Sequence, residues 1–149
     1  MERTLIIVKP DAMQRGLAGE VISRFERRGL RIAGLKLIKI DRALAERHYG
    51  EHVGKPFYEG LVSFITSSPV VVGVLEGPNA VQAVRNTMGA TNPLNANGGT
   101  IRGDLAISVG PNLVHGSDSQ QSAEREIGLF FRPEEMVDYQ RDLERWLFE

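Results

Sequence analysis

The 149-residue chain contains no cysteine, which excludes disulfides, thiolate catalysis and cysteine-held zinc. The zero count fits a reducing compartment. No long apolar run is present either. The N-terminal stretch Thr4-Leu5-Ile6-Ile7-Val8 is closed by Lys9-Pro10, too short for a signal-peptide core or a membrane span, and a cytoplasmic protein is expected. Neither sign of charge is in excess: 18 Lys and Arg face 19 Asp and Glu, for a net charge of -1. That balance argues against nucleic acid or an anionic membrane as a partner. There is no internal repeat, no low-complexity tract and no GxGxxG. Gly50-Glu51-His52-Val53-Gly54-Lys55-Pro56 has a superficial likeness to a P-loop but lacks its spacing and its closing Ser/Thr. What remains, at 42% hydrophobic content, is a chain long enough to bury a real core as a single domain over residues 1–149.

Periodicity sets out the elements. Thr4–Val8 reads as a buried strand ending in a Lys9-Pro10-Asp11 turn, and Val21, Ile22 and Phe25 fall at helical spacing ahead of a Gly29 stop. Leu30–Ile40 alternates as a half-exposed strand. Asp41 caps a helix through Ala43 to Tyr49, and Gly60–Thr66 is a further short helix. Pro69–Glu76, rich in valine, reads as a central strand, and Pro78 opens a helix through Val81 and Val84 to about Met88. Leu105–Val109 reads as the final strand, followed by a histidine loop and by helices at Ser122–Gly128 and Pro133–Tyr139. This order predicts an α+β, ferredoxin-like βαββαβ sandwich with a four-stranded antiparallel sheet and additional C-terminal helices. A doubly wound parallel sheet is the alternative; it is disfavoured because only four strands are found.

Three histidines occur, and His115 stands in Asn112-Leu113-Val114-His115-Gly116-Ser117-Asp118-Ser119. Imidazole is basic and nucleophilic near neutral pH without heavy tuning. Gly116 permits close approach, and Ser117, Asp118 and Ser119 can cap a following helix or bond to the ring. Alone, the segment also reads as a surface loop with a solvated histidine. A compositional oddity shifts the balance: between Glu76 and Glu124 only Arg85, Arg102, Asp104 and Asp118 carry a formal charge. Two isolated arginines there suit phosphate oxygens, with Thr91 and a Gly/Asn-rich loop as further donors; pairing with a carboxylate inside the fold is the competing reading. Lys9, at a strand end, is either a phosphate or ribose ligand or an edge lysine. Phe57 either stacks on a base or is a core ring, whereas Tyr58 reads as core. Glu126 either orients the imidazole or is a surface helix residue. His48 and His52 lie four apart with Gly50 between them, and no third metal ligand is evident.

The whole pattern resembles the nucleoside diphosphate kinase family over residues 3 to 149. The resemblance rests on the Asn112–Ser119 motif together with Val8-Lys9-Pro10-Asp11, Thr91-Asn92-Pro93, Gly99-Thr100-Ile101-Arg102-Gly103-Asp104 and Ser122-Ala123-Glu124-Arg125-Glu126-Ile127. It implies that His115 takes the γ-phosphate of a nucleoside triphosphate through Nδ1 and passes it to a nucleoside diphosphate, in a ping-pong reaction with broad base specificity. Lys9 and Asn112 would bond the ribose hydroxyls, with Lys9 also reaching the transferred phosphate. Arg85, Thr91 and Arg102 would hold the phosphates, and Tyr49 would sit beside the histidine. Phe57 would stack on the base, Leu61 and Val109 would line the apolar slot, and Ser117 and Glu126 would orient the imidazole. Mg²⁺ would be bridged between nucleotide phosphates rather than held in a protein cage. The resemblance also implies a homo-oligomer, and the tail through Trp146-Leu147-Phe148-Glu149 has the length of hexameric rather than tetrameric members. Ala12-Met13 and Gly98 depart from the family's usual Gly-hydrophobic pair and loop proline.

Two other readings compete. A nucleotide-sensing module on the same fold needs no nucleophile, and His115 with its cationic companions argues against it. A nucleic-acid-binding domain needs aromatic residues on its strands, and the four expected strands contain none.

Overall fold

The computed structural model describes residues 1–149. Its sheet has the order β2-β3-β1-β4, with every neighbouring pair antiparallel. The strands are β1 (Glu2–Val8), β2 (Arg31–Ile38), β3 (Val70–Gly77) and β4 (Val114–Gly116). Helices α1 (Pro10–Gln14) and α2 (Ala18–Arg27) link β1 to β2. Helices α3 (Arg42–His48) and α4 (Tyr58–Ile65) link β2 to β3. Helices α5 (Ala80–Met88) and α6 (Ile101–Leu105) precede β4, and α7 (Gln120–Phe130) follows it. This is the α+β, ferredoxin-like arrangement that the periodicity predicts.

The strand period of two explains why helices cover both faces. Along β1, Ile6 and Val8 join Ala12, Val21, Phe25, Val84 and Ile101 in one buried layer. Leu5 and Ile7 point the other way, into a layer with Ala45, Val62, Ile65 and Phe130. A strand buried on both faces is apolar without a break, as Leu5–Val8 and the valines of β3 are. No helix is long and apolar enough to cross a membrane.

Local signals set several helix ends. The Asp41 side chain accepts from Leu44 N at 2.8 Å to start α3, and Ser119 Oγ accepts from Ser122 N at 3.0 Å to start α7. Pro10, expected in a turn, occupies the first position of α1, where its missing N–H costs nothing.

Four expectations are corrected. Leu105–Val109 is not a strand: Leu105 ends α6, which Thr100 caps by accepting from Gly103 N at 3.0 Å, and Ile107 beyond it is 78% exposed. The last strand is instead β4, so the catalytic-candidate histidine lies on a strand and not in a loop; His115 pairs with Ile7. Val-His-Gly is too short and too poor in strand formers to carry a periodic signal. Pro133–Tyr139 is not a helix beyond a single 3₁₀ turn at Pro133–Glu135. Its remainder lies along β2, where Val137 N donates to Ala33 O at 2.8 Å and Tyr139 Oη donates to Ile32 O at 2.6 Å. Pro78 does not open α5, which begins at Ala80 behind Asn79 in a left-handed conformation (φ 52°).

Candidate active site

Parity on β4 decides what the site contains. Val114 points into the layer of Ile6 and Val8. His115 therefore points to the opposite face, toward α3 and α7. Gly116 points back to α5, where a Cβ would stand 2.6 Å from Met88 Sδ and 2.8 Å from Val84 Cγ1. Only glycine lets β4 lie this close to α5, so the sheet edge and α5 share a wall of the site.

The imidazole is held from one side. His115 Nε2 lies 2.8 Å from Glu126 Oε1, and Ser117 Oγ donates to that same oxygen at 2.8 Å. Leu5 N in turn donates to Ser117 Oγ at 3.3 Å, which ties the network to the central strand. Burial pushes the Glu126 carboxyl up, but the hydrogen bonds from His115 and Ser117, with the His115 charge, outweigh it and hold the group below the ordinary carboxylate range. An ionised carboxylate only accepts, so His115 Nε2 carries a proton, and in the neutral ring the lone pair is on Nδ1.

Cations close the other side. Lys9 Nζ donates to Asn112 Oδ1 at 2.8 Å, and Asn112 Nδ2 donates to Thr91 O at 3.0 Å. Burial, then the nearby Arg102 charge, lowers Lys9 to about 8 against a smaller opposing pull from Asp11. Arg102 pairs with no carboxylate. It donates to the carbonyls of Asn112 (3.2 Å), Gly89 (3.1 Å) and Val114 (2.6 Å), and burial followed by Arg85 lowers it to about 10. Arg85 Nη1 donates to Gly116 O at 3.3 Å. The reading in which these arginines pair with carboxylates is not realised: both are anchored on backbone carbonyls, and their charge is uncancelled.

These groups surround one cleft of about 260 Å³, lined by Lys9, Tyr49, Arg85, Thr91, Arg102, Asn112, His115 and Glu126 among others. Ser117 is fully buried behind Glu126. Phe57, Leu61 and Val109 lie outside this lining. Phe57 is 52% exposed beside the rim, its ring 5.4 Å from that of His52, and Leu61 follows it one turn along α4. Val109 is exposed in the segment between α6 and β4. A larger cavity of about 820 Å³ lies between the start of β1 and the end of α7, lined by residues such as Met1, Ile127, Phe131 and Met136. It holds neither a histidine nor the buried cations.

The structure gives His48 and Arg125 a place in the site that the sequence does not assign to them. His48 lies 4.9 Å from His115 ring to ring, and Arg125 donates to the carbonyls of Arg47 (3.3 Å) and His48 (3.2 Å) at the end of α3. The signal for His48 is its spacing of three from buried Ala45, which puts both on the inner face of α3. No group of three or more His, Asp or Glu side chains stands close enough to hold a metal ion.

Comparison with known proteins gives a consistent result. A family model described as nucleoside diphosphate kinase matches residues 2–136. A nucleoside diphosphate kinase of Thermomicrobium roseum is 65% identical over 147 residues, 99% of each chain. One from Pelotomaculum thermopropionicum is 60% identical over the full length of both. A solved structure of a halophilic nucleoside diphosphate kinase from Halobacterium salinarum in complex with CDP superposes with a TM-score of 0.97 at 51% identity, covering 99% of each chain.

Proposed function

The chain belongs to the nucleoside diphosphate kinase family of phosphotransferases, and from that premise we propose that it moves a γ-phosphate between nucleotides by way of a phosphohistidine at His115, with the whole chain acting as one catalytic unit. The observation that carries the reading is the one-sided grip on the imidazole. Glu126 binds Nε2–H, and Nδ1 is left with no protein partner in a cleft walled by Lys9, Arg85 and Arg102.

The chemistry follows from that geometry. The Nδ1 lone pair attacks the γ-phosphorus, the N–P bond forms, and the bond to the β-phosphate oxygen breaks, its electron pair leaving with the diphosphate. No proton moves: Nε2–H stays in place, and the Glu126 carboxylate offsets the positive charge that builds on the ring. Phosphoryl transfer passes through a loose transition state, so the protein's contribution is placement and charge. Lys9, Arg85 and Arg102 supply the cations, and Thr91 adds a hydroxyl. Lys9 and Asn112, already bonded to one another, present donors and an acceptor to the ribose hydroxyls. The second nucleoside diphosphate reverses the step at the same phosphorus, which gives ping-pong kinetics.

No cluster of this chain's carboxylates or histidines would hold Mg²⁺, so the ion would be held by the substrate's phosphates, where it would add positive charge beside Lys9, Arg85 and Arg102. Phe57 offers an exposed ring face to any base, with Leu61 and Val109 as apolar flanks, which favours broad base use. Self-association is the role we assign to the exposed apolar side chains of the edge strand β2, Leu35 and Leu37, and of Leu94 and Ile107, in a homo-oligomer of six rather than four. A cytoplasmic location suits a nucleotide-interconverting enzyme.

The test is capture of label from γ-labelled ATP with Mg²⁺, followed by a chase with unlabelled GDP. The expected label is acid-labile, absent in His115→Ala, and recovered in GTP. Binding of ATP without capture overturns the reading in favour of a nucleotide-sensing module.

A further inference from the structure

His48 is the buried group that the mechanism above leaves unused. It ends α3, is 5% exposed, and lies among three rings: Tyr49 at 4.6 Å, His115 at 4.9 Å and Phe130 at 5.5 Å between centroids. Its contact with His115 is edge-on, with the ring planes at 86°. Its Nδ1 is buried with no hydrogen-bond partner, a position that stability alone disfavours.

One hydrogen bond fixes one point of a ring. With Cγ held by its covalent bond to Cβ, the bond from His115 Nε2 to Glu126 leaves the imidazole free to rock about the Cγ–Nε2 line, and rocking swings Nδ1 away from the line of attack. A second contact off that axis removes this freedom. We propose that His48 is the positioning residue for His115, the perpendicular contact of the two rings fixing the plane of the imidazole so that Nδ1 faces the phosphate side of the cleft. The proposal rests on the phosphohistidine reading and deepens it.

The surroundings suit this use. Glu126 and Arg125 face His48 from α7, Lys9 faces it from the end of β1, and His115 faces it from β4. Burial, and then the His115 charge, keep His48 at about 3, so it carries no charge into the site at working pH. Arg125, by donating to the His48 carbonyl, pins the end of α3 to the helix that carries Glu126. Both holds on the imidazole are thereby referenced to α7. An aromatic edge against a ring face is directional, which a packed aliphatic side chain is not.

The test compares His48→Asn, which removes the ring, with His48→Phe, which keeps it. The readouts are the rate of label capture from γ-labelled ATP, nucleotide affinity by titration, and the melting temperature. Native protein is run alongside: if it captures no label, the phosphohistidine reading itself fails. With native capture intact, His48→Asn is expected to lose roughly tenfold or more in capture rate at unchanged nucleotide affinity, because misplacing a reacting atom lowers rate more than binding. His48→Phe is expected to stay within roughly threefold of native. Capture by His48→Asn within twofold of native, or an equal loss in both variants, overturns the proposal. So does a fall in affinity that matches the fall in rate. If His48→Asn does not fold, His48→Leu takes its place under the same criteria.

Discussion

His115 Nε2 and Glu126 Oε1 are 2.8 Å apart, and Ser117 Oγ reaches the same carboxylate oxygen at the same distance. One oxygen therefore sets both the proton position on the ring and the charge beneath it. Glu126→Gln keeps the shape and removes the charge. The rate of label capture should fall roughly tenfold to a hundredfold, the range typical when the partner that orients a working histidine is lost. Ser117→Ala leaves the carboxylate and should cost less. Single-turnover capture from γ-labelled ATP measures both, and a Glu126→Gln variant as fast as native would remove the carboxylate from the mechanism.

Lys9 illustrates function held against stability. Its pKa falls from 10.5 to about 8 because burial and Arg102 outweigh Asp11. Below pH 8 the folded chain holds a proton that the unfolded chain would bind more tightly, so the charge is destabilising at neutral pH and the burden lifts as pH rises through 8. Lys9→Met should raise stability at pH 7 by on the order of 1–3 kcal/mol while lowering activity. A lower melting point in Lys9→Met would show that its bond to Asn112 outweighs the desolvated charge. For the native enzyme, kcat/KM should decline above about pH 8 as Lys9 loses its proton.

Much of this arrangement is legible in the sequence, for reasons that separate residue by residue. The unbroken apolar runs of β1 and β3 declare strands buried on both faces, and the Asp41 cap declares a helix start. Motif order brings His115, Lys9, Arg85, Arg102 and Asn112 to one site without any knowledge of their distances. β4 is hidden because three residues, one of them glycine, hold no period, whereas Leu105–Val109 imitates a strand in a segment that leaves Ile107 in solvent. The His48–His115 contact is hidden for a different reason: it depends on the angle at which α3 meets the edge of the sheet, and no local pattern encodes that.

Arg102 braces the site as much as it charges it. Its guanidinium satisfies the carbonyls of Gly89, Asn112 and Val114 at once, and these join the end of α5 to both ends of the turn into β4. Arg102→Met leaves three acceptors short of a partner and should destabilise the fold by on the order of 3 kcal/mol or more, in contrast to Lys9→Met. Arg102→Lys cannot span three carbonyls and should recover only part of that. Urea denaturation at pH 7 checks the order native, Lys, Met; equal midpoints would leave Arg102 only the phosphate-binding role proposed for it.

Acid should destabilise the protein through His48 before it does so through the carboxylates. The folded state keeps His48 neutral, mainly by burial and next by the His115 charge, with a pKa of about 3 against 6.5 when unfolded. Between these values the unfolded chain takes up a proton that the folded chain refuses, so stability falls as pH falls through 6.5. The slope has a ceiling of one proton, about 1.4 kcal/mol per pH unit. Glu126 and Glu76, whose folded pKa values are lowered, give up their stabilisation only below the ordinary carboxylate value of 4.5. The interval from pH 6.5 to 5 therefore isolates the histidines, and comparison with His48→Phe isolates His48. Native protein should lose about 2 kcal/mol more than His48→Phe between pH 7 and 5 in urea denaturation. Parallel losses would mean that His48 is protonated in the folded state, and with it the view of His48 as an uncharged neighbour of His115 would fall.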